Sequence, residues 1–269
     1  GLVLVARILV SVALLIALGG ALLCIGIRSP LPWLIGPLVA VAIASMLNVR
    51  LAAPPAARQL GQWAIGVALG LYFSPHVVRE VVRLAPWLLL GIVFAVILGG
   101  LGAWLLRRMT DTDETTSFFA MAIGGASEMA MQAQRYGGQV ERVAAAHSLR
   151  IMLVVLIVPL LLNAFDIHGL DPYVPIAREF SWGGFTLLAA VTGGAAYAMR
   201  RLGSPNGWMI GPLLAAAVVT SMGQTWSSLP VPVVNAGQLL IGIGLGTRFT
   251  PGFFESAPRF LGAVAAITL

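Results

Sequence analysis

Long apolar stretches separated by short polar segments run through the whole chain. The stretch 8–27, for example, is apolar on every face of a helix and is long enough to cross a hydrocarbon core of about 30 Å. The pattern predicts an all-α, polytopic membrane protein. Its predicted elements are helices near 7–27, 32–48, 60–74 and 84–107, an interrupted segment at 116–134, and helices at 140–163, 181–200, 207–222, 236–249 and from 257 onward.

The composition agrees with a membrane location and excludes several other classes of protein. Of the 269 residues, 59% are hydrophobic and only 10% are charged, whereas soluble domains carry about 25% charged residues. All 16 basic residues are arginines, which we assign mainly to loops that hold helix ends at a membrane face. Nucleic-acid binding would need a basic patch on a soluble domain. We therefore expect the lipid bilayer to be the main partner, and we expect no nucleic-acid partner.

An internal repeat is the most informative feature of the sequence. Residues 32–38 return as 207–213, and the pair at 61–62 returns as 237–238. Because the offset stays constant at 175 residues, or 176 after a one-residue slip, we interpret the pattern as a duplication. The expected organisation is repeat one at 1–163, a linker at 164–180, and repeat two at 181–269. Since residue 269 corresponds to residue 93, repeat two is incomplete here, and the sequence leaves open whether the natural chain continues.

The interrupted segment decides the expected topology. Gly124, Gly125 and Glu128 fall where the middle of a spanning helix would lie. If the segment is a re-entrant hairpin, loop arginines divide eleven against four between the two faces; if it crosses fully, they divide nine against six. The positive-inside rule favours the hairpin, which gives each repeat an odd number of crossings and makes the repeats inverted. The loop with Arg50 and Arg58 has an arginine-free counterpart in repeat two, as inversion predicts.

The hairpin is the first candidate binding site. Non-helical backbone at membrane depth is tolerated only where protein or a water-filled cavity covers it. The helix that resumes after Gly124 and Gly125 would point its amides at an anion, and the released carbonyls could hold a cation. Ser127 is a candidate cap for that helix, and Glu128 is an intramembrane acid that would face a partner or a substrate path. The alternative is that the two glycines only permit close helix packing.

A second candidate site is formed by Arg150 with His147 one helical turn before it. A buried guanidinium needs a carboxylate or an anionic ligand, and Glu128 is the nearest carboxylate in the same repeat. A structural Arg150–Glu128 pair and direct ligand contact both remain open. Gln62 and its repeat counterpart Gln238 could bond across helices or bind the ligand.

Several chemistries have no motif in the sequence. The three histidines, His76, His147 and His168, lie in separate segments without metal-ligand spacing. The single cysteine, Cys24, lies in an apolar helix and is assigned to packing. The sequence also has no nucleotide-binding loop and no nucleophile–base motif. We therefore expect no metal, no cofactor and no catalytic residues, and we do not expect an enzyme.

The duplicated Trp–(Leu/Met)–Ile–Gly–Pro element, the stretch 124–129, and the run from 147–150 to 158–159 resemble the AbrB duplication family of bacterial membrane proteins. The resemblance covers nearly the whole chain and implies the bacterial inner membrane. Family members have been labelled ammonia monooxygenases or regulators of gene expression. A copper oxygenase needs clustered histidines, and a DNA-binding regulator needs a soluble basic module; the sequence contains neither.

These patterns together favour a secondary transporter of a small, anionic solute that works by alternating access between inverted repeats. One alternative is a membrane-embedded sensor or regulator of gene expression without flux. A less favoured one is an intramembrane oxidase, which would bind metal. The sequence leaves the substrate, the coupling ion and the oligomeric state open, with a homodimer as one option.

Overall fold

The computed structural model describes residues 2–167, 179–255 and 257–269. Within these ranges the chain forms twelve α-helices and no strands, which confirms the predicted all-α class. His168 and most of the predicted linker lie outside the described residues. The helices are α1 (Leu2–Gly26), α2 (Pro32–Met46), α3 (Pro55–Gly70), α4 (Pro75–Arg83), α5 (Ala85–Met109), α6 (Glu114–Met121), α7 (Ala126–Arg135), α8 (Val140–Ala164), α9 (Trp182–Arg201), α10 (Gly207–Ser221), α11 (Val231–Gly246) and α12 (Pro258–Thr268).

Three of the described helices, α1, α5 and α8, have the length and apolar composition to cross a membrane. The pair α3 and α4 meets the same test when taken together, but it is bent by 85° at its junction. Helices α2, α10, α11 and α12 are apolar but shorter. These lengths fit the membrane protein that the composition predicts.

The structure corrects the sequence prediction at three places. Helix α3 begins at Pro55 rather than near 60, and α11 begins at Val231 rather than near 236. In both, proline occupies the first turn, where its missing N–H costs nothing, so a segment that looked like loop is helical. The short amphipathic helix α4 was not predicted; Ser74 caps it by accepting a hydrogen bond from the Val77 amide at 3.1 Å.

Helices α1, α2, α3, α9, α10 and α11 pack together as one unit, which we call the six-helix body. Glycines let the backbones of these helices touch. A Cβ on Gly36 of α2 would overlap the backbone of Gly20 in α1, and a Cβ on Gly211 of α10 would overlap the backbone of Ala195 in α9. Such contacts between small residues are typical of helices that associate within a membrane.

Two further helix pairs of the six-helix body, α2 with α11 and α3 with α10, are also joined at glycines. Within each pair, successive contacts advance along both helices together, so the paired helices run in the same direction. The contacting residues are Gly242 with Leu34, Gly246 with Leu38, Gly66 with Met209, and Gly70 with Leu213. Helices α3 and α11 meet each other at Gly61 and Gly237.

Helices α5, α6, α7, α8 and α12 form a second unit, which we call the hairpin body. Its core contains buried side chains such as Leu106, Leu149 and Val264. Phe249 and Phe253, which follow α11, are buried in the same core and join the two bodies. Each body therefore takes helices from both halves of the sequence.

Candidate functional site

Helices α6 and α7 form a hairpin whose two ends are held together. The backbone amide of Gln139 donates to the Thr116 hydroxyl at 2.8 Å, and the Gln139 side chain donates to Asp113 at 3.3 Å. The rings of Phe119 and Tyr136 stack with centroids 6.0 Å apart. The chain therefore enters and leaves the hairpin on the same side, and residues 122–125 form its non-helical tip.

Asp113 fixes the base of this hairpin. Its carboxylate accepts a hydrogen bond from the Thr116 amide at 2.9 Å and so caps α6. Burial alone would raise the pKa of Asp113, but the hydrogen bonds from Thr116 and Gln139 outweigh it and hold the pKa below its ordinary value. The carboxylate is therefore held in the ionised form that the cap requires.

Two side chains of α8 bind the last carbonyls of α6. Arg150 Nη1 donates to the carbonyls of Ala120 at 3.0 Å and Ala122 at 3.3 Å. His147, only 4% exposed, lies with Nε2 2.8 Å from the Phe119 carbonyl and donates to it. Carbonyls at a helix C-terminus lack helical partners and carry partial negative charge. The sequence analysis suggested that carbonyls released at the helix break could hold a cation. In the structure, the carbonyls of Phe119, Ala120 and Ala122 are bound by side chains of the protein itself.

The ion pair between Arg150 and Glu128, one of the two alternatives that the sequence left open, does not form among the described residues. The Glu128 carboxylate instead folds back onto Gly125, so closely that a Cβ on Gly125 would overlap it. Gly125 is the N-cap of α7 and Glu128 is its third residue, where the helix dipole favours an acid. Because the helix begins at Ala126, Ser127 is not at the cap position, and its side chain lies outside the described part of the structure.

A cavity of about 690 Å³ lies between the hairpin body and the six-helix body. We call it the arginine cavity, because Arg58 near the start of α3 and Arg248 just after α11 both line it. Arg58 is exposed and Arg248 is half-buried. The opposite wall includes Ala126 and Ala130 of α7 with Ser148 of α8.

The two arginines were missed as site residues by the sequence analysis, which counted them as loop arginines. Their positions at helix ends, one in each half of the sequence, gave the only signal. They converge because α3 begins at the same end of the six-helix body at which α11 ends. That convergence depends on packing between distant parts of the sequence, which no local motif encodes.

A second cavity of about 750 Å³ lies at the hairpin tip. We call it the tip cavity, since Ala122, Ile123 and Gly124 line it together with His147 and Arg150. Of the helices around it, α5 supplies the largest share of its lining residues. The hairpin thus lines both cavities, the tip cavity with its non-helical residues and the arginine cavity with α7.

The structure brings together most, but not all, of the predicted site residues. Gly124, Gly125, Glu128, His147 and Arg150 lie around the hairpin tip. The two predicted glutamines lie in the six-helix body and line neither cavity. The amide of Gln62 donates to Asn206 at 3.5 Å, and Gln238 is half-buried on α11.

Comparison with known proteins gives a family match and two distant relatives. The family model described as "Transition state regulatory protein AbrB" matches residues 33–269. The chain is 27% identical over 231 residues to "Putative regulator AbrB" of Escherichia coli (strain K12), covering 82% of this chain and 65% of that protein. It is 26% identical over 235 residues to "Uncharacterized protein YhjN" of Bacillus subtilis (strain 168), covering 78% and 59%.

The chain spans about three fifths of the length of these curated relatives. No solved structure shows a significant match.

Proposed function

From the premise that this chain belongs to the AbrB family, we propose that it is a secondary transporter of a small anionic solute in the bacterial inner membrane. The observation that carries the proposal is a broken hairpin that lines two cavities, one of which is also lined by both Arg58 and Arg248. Broken helices with their termini directed at a cavity are typical of secondary transporters built from inverted repeats.

The packing of the six-helix body supports the proposed duplication. Contacts made within the first half recur in the second at the repeat offset, and contacts between the halves occur in matched pairs. Gly20 with Gly36 corresponds to Ala195 with Gly211, and Gly66 with Met209 corresponds to Gly242 with Leu34. Gly61 meets its own counterpart, Gly237, as expected at a two-fold axis.

The direction of the helices supports the proposed inversion. Helix α2 runs alongside α11 in the same direction, and only eight residues separate the end of α2 from the start of α3. Arg58 near the start of α3 also shares a cavity with Arg248 at the end of α11. The equivalent helices α3 and α11 therefore run in opposite directions, and the axis relating them lies across the helices. For helices that cross a bilayer, such an axis lies in the membrane plane.

The arginine distribution supports an orientation. Both ends of the α6–α7 hairpin lie on one side, as in the re-entrant arrangement. With that arrangement, eleven loop arginines fall on one membrane face and four on the other. The positive-inside rule assigns the richer face to the cytoplasm. In this orientation the base of the hairpin and the arginine cavity are on the cytoplasmic side.

In the proposed mechanism the two bodies move against each other and the hairpin tip closes one cavity while the other opens. Arg150 holds the tip through the carbonyls of α6. Glu128 lies at the start of α7, where it competes with a bound anion for the same positive potential and could exchange a proton during transport.

The proposal is tested by anion uptake into vesicles reconstituted with purified protein. We expect Glu128→Gln and Arg150→Ala each to abolish uptake while the protein remains in the membrane, because each removes a charge at the hairpin. Arg83→Gln on the exposed helix α4 is the control and should transport normally. Normal uptake by both site variants would exclude the assignment.

The second candidate function is a membrane sensor without flux. The family model and the Escherichia coli relative are both named as regulators, and these names favour the sensor. A sensor would bind the same anion and a soluble partner protein without moving the anion. Ligand binding without uptake, together with one stoichiometric partner in a pull-down, would favour the sensor over the transporter.

A further inference from the structure

Arg58 and Arg248 line the same cavity. Neither makes an ion pair or a hydrogen bond within the part of the chain that the structure describes. Elsewhere Arg83 bonds Glu80 and Arg107 bonds Glu114. Two unpaired guanidinium groups therefore face one cavity.

Carboxylates near the arginine cavity compensate the charge of this pair only in part, because no described carboxylate forms an ion pair with either arginine. The positive charge of Arg58 acts on Arg248 across the cavity, and Arg248 is half-buried, so its hydration is reduced. Glu128 also acts on Arg248, but its carboxylate lies against Gly125 and forms no ion pair with Arg248. Glu141 is exposed at the edge of the cavity. An anion between the two arginines would relieve their repulsion.

The remaining wall of the cavity indicates what kind of anion fits. Ala126, Ala130, Ala144 and Phe253 offer an apolar surface, and Ser148 offers a hydroxyl. The volume of about 690 Å³ lies in the range of small-molecule sites. An inorganic anion would leave the apolar wall without contacts, whereas an organic acid could cover it with its carbon chain.

We propose that the arginine cavity binds a small organic carboxylate, with the carboxylate between Arg58 and Arg248 and the carbon chain against the alanines of α7 and α8. Guanidinium groups bind carboxylates through paired, charge-assisted hydrogen bonds. The proposal names the substrate class, and the role of this site in transport rests on the proposed function. Binding itself requires no flux.

The repeat makes this a single site rather than one of a pair. At the offset of 176 residues, Arg58 corresponds to Val234 and Arg248 corresponds to Tyr72. The pseudo-equivalent position on the opposite side of the six-helix body thus has neither arginine. The carboxylate site is built from one residue of each repeat and is not duplicated among the described residues.

The test is a thermal-shift titration of detergent-purified protein with butyrate, succinate, inorganic phosphate and butylamine. We expect the two carboxylates to raise the Tm in a saturable way, and butylamine to have no effect. Arg58→Gln and Arg248→Gln should each weaken carboxylate binding about tenfold or more. The control is Arg83→Gln. It removes an exposed arginine that does not line this cavity, so this variant should bind carboxylate normally.

Two further variants keep the test decisive if a charge-removing variant fails to fold. Arg248→Lys retains the charge but not the paired donors, and Ala144→Leu fills the apolar wall without touching any charge; both should weaken binding. No saturable shift with either carboxylate, or an unchanged shift in the arginine variants, would overturn the site. A shift with phosphate alone would overturn the organic class.

The same variants separate failure of the site from failure of the transporter assignment. Carboxylate binding that depends on Arg58 and Arg248 without any uptake in vesicles would retain the site and reject transport. Anion uptake that persists in the double variant Arg58→Gln/Arg248→Gln would retain transport and reject the site.

Discussion

At the scale of single residues, the hairpin shows how a half-buried cation, Arg150, can be stabilised without a carboxylate. The sequence paired Arg150 with Glu128 because opposite charges are the usual solution in a membrane. The structure uses the last carbonyls of α6 instead. The pair with Glu128 was one of two alternatives, and neither included these carbonyls, because a charge count along the sequence does not show that the break at residues 122–125 frees carbonyls close to Arg150.

His147 provides a residue-scale prediction. His147→Ala should destabilise the protein by about 1–3 kcal/mol, because the Phe119 carbonyl would be left buried and unpaired. His147→Gln should recover most of this loss, since its amide can donate to the same carbonyl. Thermal unfolding in detergent measures both, with His76→Ala on exposed α4 as the control. Equal Tm values for His147→Ala and His76→Ala would show that the bond contributes nothing.

At the scale of helices, continuous apolar runs made most elements predictable. Helix α8, predicted at 140–163, extends over Val140–Ala164, because a long apolar stretch has no competing structure in a membrane. Helix α4 was missed because paired valines alternate with charged residues over only nine positions. The hairpin itself was predictable from two glycines and an acid, which are unusual at the centre of an apolar segment.

Adjacent glycines in α1 provide a prediction at the helix scale. A Cβ on Gly20 would overlap the Gly36 carbonyl, whereas a Cβ on Gly19 would meet nothing within 4 Å. Gly20→Ala should therefore separate α1 from α2 and lower the unfolding free energy by about 1–3 kcal/mol. Gly19→Ala should be neutral or stabilise the helix by up to about 1 kcal/mol. Unfolding curves that respond equally to the two changes would argue against the close helix contact.

At the scale of the whole molecule, the two halves of the sequence are not separate folded units. Helices from both halves build the six-helix body, and α12 of the second half packs in the hairpin body. The proposed repeat was inferred from sequence alone, because residue identities recur at nearly one offset. The convergence of Arg58 and Arg248 could not be predicted from sequence, because it arises where the end of α11 meets the start of α3.

The inverted arrangement makes a prediction about sidedness that uses the single native cysteine. In a Cys24→Ser background, cysteines replacing Arg50, Arg201 or Arg28 can be labelled one at a time with a membrane-impermeant thiol reagent. Arg50 follows α2 and Arg201 ends α9, so inversion requires both positions to react from the same face. Arg28, between α1 and α2, should react from the opposite face. A parallel arrangement would instead expose positions 50 and 201 on opposite faces, because equivalent helices would then point the same way. That labelling pattern would reject the inverted repeat and, with it, the alternating-access mechanism built on it.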